Sequence, residues 1–168
     1  MGYSNSNDSP YNVQPFSKWS TLNTTAYIPA SRSAVWPVLR AMNEWSTFQD
    51  VFDISFVGGN GVVELGQEIK IESAFPTTVE EYDEIVEEER ICWTLNGFEI
   101  LGISIPSPYY VLRTARCIEL FDIGNDVTLL HNWISYAGLG WPVVVSATGY
   151  LTKKFFDDFN AELAVEFN

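Results

Sequence analysis

The end of the chain sets the tightest limit on its fold. From Pro142 onward, Val144, Thr148, Leu151, Phe155, Phe159 and Leu163 recur at three- and four-residue steps, while Lys153/Asp157 and Lys154/Asp158 make (i, i+4) pairs elsewhere on the surface. Pro142 suits a first helical turn, and at ~1.5 Å per residue the helix would run about 40 Å. Its aromatic stripe has to be buried against something. Nearly everything between Ile54 and Tyr136 reads as strand, so the helix must lie across a sheet. No helical pattern separates one strand from the next, which excludes a parallel βαβ arrangement.

The strands follow from β-branched and aromatic runs broken by turn residues. Trp19–Ile28 reads as the first and stops at Pro29-Ala30, with Ser31 as cap of a helix whose apolar face is Val35, Trp36, Leu39 and Met42. Pro37 interrupts that helix, and a second short one over Asn43–Val51 places Trp45, Phe48 and Val51 on one side. Strands are then predicted over Ile54–Val57, Val62–Leu65, Gln67–Phe75, Thr78–Val86 and Arg90–Leu95, with Gly58-Gly59-Asn60-Gly61 as a turn and Asn96-Gly97 as a hairpin signal. Two long strands, Tyr109–Phe121 and Val127–Tyr136, form an antiparallel hairpin through Ile123-Gly124-Asn125-Asp126. The expected fold class is therefore α+β: a curved antiparallel sheet of six to seven strands wrapped round one long helix, with two short helices.

Composition narrows the function. The 168 residues are one domain's worth, 46% hydrophobic and 18% charged, so a core forms without staples. A net charge of −13 repels phosphate backbones and anionic headgroups, which argues against nucleic acid and membrane partners. One histidine and two cysteines supply no metal site and no disulfide framework, so Cys92 and Cys117 are expected as reduced core residues. Residues 1–17 are rich in Ser, Asn, Pro and Tyr without the basic and apolar regions of a signal peptide; they are expected to be a mobile tail on a cytoplasmic protein, followed by a domain over 18–168. No stretch is long and apolar enough to insert in a membrane.

The order of elements, together with Ile28-Pro29-Ala30-Ser31 leading to Val35-Trp36, then Trp45, Arg116–Leu120, Thr128–Gly138 and the closing Phe156, Phe159, Asn160 and Leu163, resembles the START-like superfamily. That superfamily is also called SRPBCC or birch-pollen-allergen-like, and the likeness within it is to polyketide cyclase/dehydrase-like proteins. The resemblance implies a helix-grip fold enclosing a deep apolar cavity for lipids, sterols, hormones or polyketide-like molecules. The 6 Trp, 8 Tyr and 11 Phe supply side chains either to fill such a cavity or to line it.

Strand alternation selects the polar residues able to face the cavity. Arg116 shares a face with Leu112, Thr114, Ile118 and Leu120; an inward arginine needs a carboxylate or an oxygenated ligand. Asn132 and Tyr136 share a face with Thr128, Leu130 and Ile134, whereas His131 lies on the other face beside Trp133. Tyr136, Arg116 and Asn132 are thus the catalytic candidates, with Trp45, Trp93, Tyr150, Leu151 and Phe155 as substrate-binding candidates. The acid run Glu80–Glu89 is expected as a solvated edge; alternation would otherwise turn either Glu81 and Asp83 or Glu80, Tyr82 and Glu84 inward, where a carboxyl of raised pKa could serve as a general base. A single histidine and no Gly-x-Ser-x-Gly turn exclude a nucleophilic triad. The reading is a binder of a hydrophobic, partly oxygenated small molecule, used for cofactor-independent cyclase, dehydratase or isomerase chemistry of the lyase or isomerase class. The alternative is a non-catalytic carrier or sensor of a lipid-like or hormone-like ligand, and either form leaves room for a homodimer.

Overall fold

The computed structural model describes residues 12–51, 53–58, 63–72 and 77–168. Among the described residues, eight strands form one antiparallel sheet: β1 (Thr21–Ile28), β2 (Asp53–Phe56), β3 (Glu68–Glu72), β4 (Thr77–Val86), β5 (Arg90–Ile100), β6 (Ile103–Pro106), β7 (Arg113–Asp122) and β8 (Thr128–Ala137). Their spatial order is β1-β8-β7-β5-β4-β3-β2, with β6 paired to the far half of β5. Between β1 and β2 lie α1 (Arg32–Arg40) and a 3-10 turn over Met42–Thr47; α2 (Trp141–Glu166) closes the structure. This is the expected helix-grip architecture, an α+β sheet curved about one long helix. Among the described residues no helix is long and apolar enough to cross a membrane.

The core lies at one end of the concave face. There the second half of α2 buries Phe156, Phe159 and Leu163 against Ile91, Ile118, Leu120 and Leu130 of the sheet and against Trp36, Leu39 and Met42 of the short helices. The first half of α2 is less deeply buried. A helix that packs tightly at one end and stands off at the other leaves space beneath its first turns.

Several local expectations change. Asn96-Gly97 is not a hairpin: the chain runs straight through it as β5, and Asn96 is skipped in the pairing with β4. Gly97 is needed for another reason, since a Cβ there would come within 2.5 Å of the Ile105 carbonyl oxygen on β6. The hairpin instead turns at Leu101-Gly102, both in the left-handed region at φ 53° and 78°, where leucine is a poor sequence signal. β6 follows this turn and was absent from the expected strand list. Of the strand expected at 62–65, residues 63–65 are not in a strand, and Val62, like Gly59-Asn60-Gly61 and the end of the run at 73–76, lies outside the described residues.

The cysteines also differ from expectation. Cys92 and Cys117 stand directly opposite each other on β5 and β7, with Cα atoms 4.1 Å apart, and are joined in a disulfide. Twenty-five residues of intervening sequence concealed a contact that antiparallel register creates. Of the expected tail, residues 12–17 are described, and they lie against the convex face: Val13 packs on Cys92, Ala115, Cys117 and Trp133.

Candidate functional site

A cavity of about 190 Å³ lies between the N-terminal half of α2 and strands β3, β4, β5, β7 and β8. Val144, Thr148, Leu151, Thr152, Phe155 and Phe156 face it from the helix. Ile71, Leu95, Phe98, Leu112 and Ile134 complete an apolar wall, into which Thr78, Glu80, Thr114, Arg116 and Tyr136 bring the polar groups. Apolar lining with a few convergent polar groups is the form of a small-molecule site.

Arg116 is 4% exposed and its guanidinium lies between two rings, 4.9 Å from the centroid of Trp93 and 4.5 Å from that of Phe156. Burial lowers its pKa to about 10, with Glu80, Tyr136 and Tyr82 pulling the other way, so it stays cationic at neutral pH. Glu80 is 6% exposed. Burial pushes its carboxyl above the usual carboxylate range, outweighing the opposing pulls of Arg116, of the hydrogen bond that Thr78 Oγ1 donates to Oε1 at 2.7 Å and of the Trp93 indole N–H. The second oxygen, Oε2, is buried with no hydrogen-bond partner among the described residues. Tyr136, on the diagonal from Arg116 across β7 and β8, has its hydroxyl pKa raised, chiefly by burial. Behind them Tyr82 donates to Met42 Sδ at 2.7 Å, and its pKa too is raised by burial and by Glu80.

Of the residues singled out from sequence, Arg116, Tyr136, Leu151 and Phe155 line this cavity. Trp93 is fully buried in the layer beneath it, in edge contact with Tyr82 at 6.0 Å. Asn132 is fully buried opposite Thr24 of β1, away from the cavity lining, and its amide has no hydrogen-bond partner among the described residues. Trp45 packs at the closed end, 4.7 Å from the Phe159 ring, with Nε1 donating to the Val38 carbonyl. Tyr150 is 82% exposed on the outer side of α2 and does not reach the cavity, because one residue from Leu151 is a rotation of about 100° round a helix. His131 faces the convex side as alternation predicts, with Nδ1 2.8 Å from Glu119 Oε2.

The acid run departs most from its expected role as a solvated edge. Glu80 and Tyr82 point into the concave side, but Asp83 is skipped in the pairing with β5, and this bulge sends Glu84 to the opposite face. Neither alternative set predicted from strict alternation occurs whole. The available signal for Glu80 was its parity with the aromatic Tyr82 and with Thr78.

No family model matches the chain, and no curated protein matches it in sequence. Solved structures match it in fold. DynU16, a protein of the dynemicin biosynthetic locus, superposes with a TM-score of 0.61 at 15% identity, over 86% of this chain and 46% of DynU16. Ara h 8.0201 gives 0.58 at 12% identity, over 85% and 96% of the two chains. Truncated norcoclaurine synthase from Thalictrum flavum gives 0.59 at 14% identity, over 88% and 94%. At these identities the likeness is one of fold: the chain shares with these proteins a helix-grip architecture, a curved antiparallel sheet closed by one long terminal helix.

Proposed function

We propose that the cavity binds a hydrophobic, partly oxygenated small molecule and that the protein promotes cofactor-independent cyclisation, dehydration or isomerisation of a polyketide-like substrate. The observation that carries this reading is Glu80: a buried carboxyl with a raised pKa at the wall of an apolar cavity, beside Arg116 and Tyr136. A general base benefits from this setting, because a carboxylate of raised pKa takes a proton more readily.

The chemistry needs three roles. Arg116 and the Tyr136 hydroxyl donate to a substrate carbonyl oxygen and stabilise the negative charge that develops there. Glu80 removes a proton from the adjacent carbon, giving an enolate. In a cyclisation, that carbon attacks a second carbonyl of the same molecule, and the new alkoxide takes its proton from Tyr136, which regains one as Glu80 gives up the proton it removed. In a dehydration, the proton now on Glu80 leaves with the departing hydroxide as water. A volume near 190 Å³ is below the ~300–1,000 Å³ of sites for drug-sized ligands, so it favours a compact or folded substrate. The shared fold of a protein from a biosynthetic locus and of a synthase supports a biosynthetic use. The binding unit extends over residues 18–168.

The test is incubation with a short poly-β-ketone thioester, followed by mass and chromatographic analysis. The expected result is a cyclised isomer or its dehydrated product, with turnover falling about 10²–10⁴-fold in Glu80→Gln or Tyr136→Phe while binding is retained. Tight binding with the thioester recovered unchanged would overturn the catalytic part and leave a carrier. Absence of binding would overturn both.

A further inference from the structure

The convex face carries a second cluster of chemically active groups, remote from the cavity. Cys92 and Cys117 are fully buried there. Arg90, also buried, donates from Nη2 to Cys92 Sγ at 2.9 Å and to Cys117 Sγ at 2.8 Å, and from Nε to Cys92 Sγ at 3.2 Å. The Arg90 guanidinium also meets Glu84 at 3.7 Å and Glu119 at 3.3 Å, and it is positioned to receive a thiolate released from either sulfur when the disulfide is attacked.

What covers the sulfurs is not the sheet but the segment at 12–17, which is neither helix nor strand. Several contacts hold it. The Asn12 and Val13 N–H groups donate to the two oxygens of Glu84, each at 3.0 Å. Arg90 Nη2 donates to the Val13 carbonyl at 3.0 Å. The Phe16 N–H donates to Ser135 Oγ at 2.9 Å, and the Arg113 guanidinium lies 4.8 Å from the Phe16 ring. A short segment with no helix or strand of its own opens locally more often than the sheet below it.

The two features share Arg90, so the state of one bears on the other. We propose that Cys92–Cys117 is a reversible thiol–disulfide site for small dithiols, and that residues 12–17 form a cover whose docking depends on its oxidation state. A dithiol, as thiolate, attacks one Sγ to give a mixed disulfide and releases the other Sγ as a thiolate beside Arg90. Its second thiol then closes its own disulfide and frees the second cysteine. Two electrons pass to the protein, and the dithiol's two protons end on the cysteines or in solvent. The unlinked sulfurs must separate beneath Val13, and a thiolate there competes with the Val13 carbonyl for Arg90 Nη2. Both changes loosen the cover.

The experiment uses the full chain in its oxidised form, treated with dithiothreitol under native conditions. Alkylation of both cysteines is read by mass, and hydrogen exchange is followed at the amides of Asn12, Val13 and Phe16 and at those of β5 and β7. The expected result is native alkylation at both positions and at least about tenfold weaker protection at the three cover amides, the size of one weakened hydrogen bond to a charged acceptor, with β5 and β7 unchanged. Glu84→Gln, which weakens the acceptor of two cover amides, should speed reduction about tenfold. Thiols that appear only in denaturant, cover amides that stay protected after complete reduction, or a Glu84→Gln rate equal to wild type would overturn the proposal. So would a loss of protection across the whole sheet, which would make the disulfide a structural link alone.

Discussion

Arg90 and Arg116 are buried on neighbouring strands of one sheet, each beside a glutamate of β4, and they face opposite ways. On the convex face, Arg90 meets Glu84 at 3.7 Å, Glu119 at 3.3 Å, the Val13 carbonyl and both cysteine sulfurs. Burial alone would raise Glu119, but the His131 hydrogen bond and Arg90 hold it below the usual carboxylate range. On the concave face, Arg116 lies between ring faces next to Glu80, whose carboxyl is raised. One arginine is the hub of a saturated network. The other borders a cavity alongside a carboxyl that burial has made a stronger base. Saturation suits cohesion, and a buried carboxyl of raised pKa at a cavity wall suits binding and proton transfer.

This contrast can be broken in several ways. The largest effect should come from comparing Glu80→Gln with Glu84→Gln in the thioester assay, where the first lowers turnover about 10²–10⁴-fold and the second leaves it unchanged. Equal losses would erase the distinction between the two faces. Next, Arg90→Met should destabilise by about 3–5 kcal/mol in denaturant titration, because it leaves the buried Glu84 and the half-buried Glu119 without the cation they share. Arg116→Met should cost less than ~2 kcal/mol, since without its cation Glu80 can stay buried by taking up a proton, the form that burial favours.

The two carboxyls should also give pH dependences of opposite sign, read as the stability of wild type minus that of each Gln variant. For Glu80 the folded pKa lies above the ordinary 4.5, so its contribution is full below that value and is lost as pH rises through the folded pKa. For Glu119 the folded pKa lies below 4.5, so its contribution is present above that value and is lost as pH falls through the folded pKa. Parallel curves would contradict the assignment. The smallest effects concern single hydroxyls. Ser135→Ala removes the acceptor for the Phe16 N–H and the Thr21 hydroxyl and should cost about 1 kcal/mol. Thr114→Val removes a buried hydroxyl without a hydrogen-bond partner among the described residues and should be neutral or slightly stabilising by thermal melt.

How legible each part was in the sequence depends on how regular its backbone is. β7 and β8 run in continuous register, so alternation alone put Arg116 and Tyr136 on the cavity side and His131 on the other. β4 and β5 carry irregularities at Asn96 and Asp83, and each one reverses parity from that point on. That is why Glu80 and Glu84, four residues apart, serve different faces. Tyr150 failed for a related reason: a three- or four-residue stripe identifies a helical face, but a neighbour one step off it points away.

By itself the sequence determined the architecture, because a long aromatic-striped helix after a series of strands has no other way to bury its apolar face. It also limited the polar groups that strands β7 and β8 could present. Only the tertiary structure decided which carboxylate enters the cavity, that two cysteines 25 residues apart become bonded neighbours, and that residues 12–17 cover them. Those outcomes rest on strand register and on bulges. Both are set by contacts between segments distant in the chain, and no local pattern encodes them.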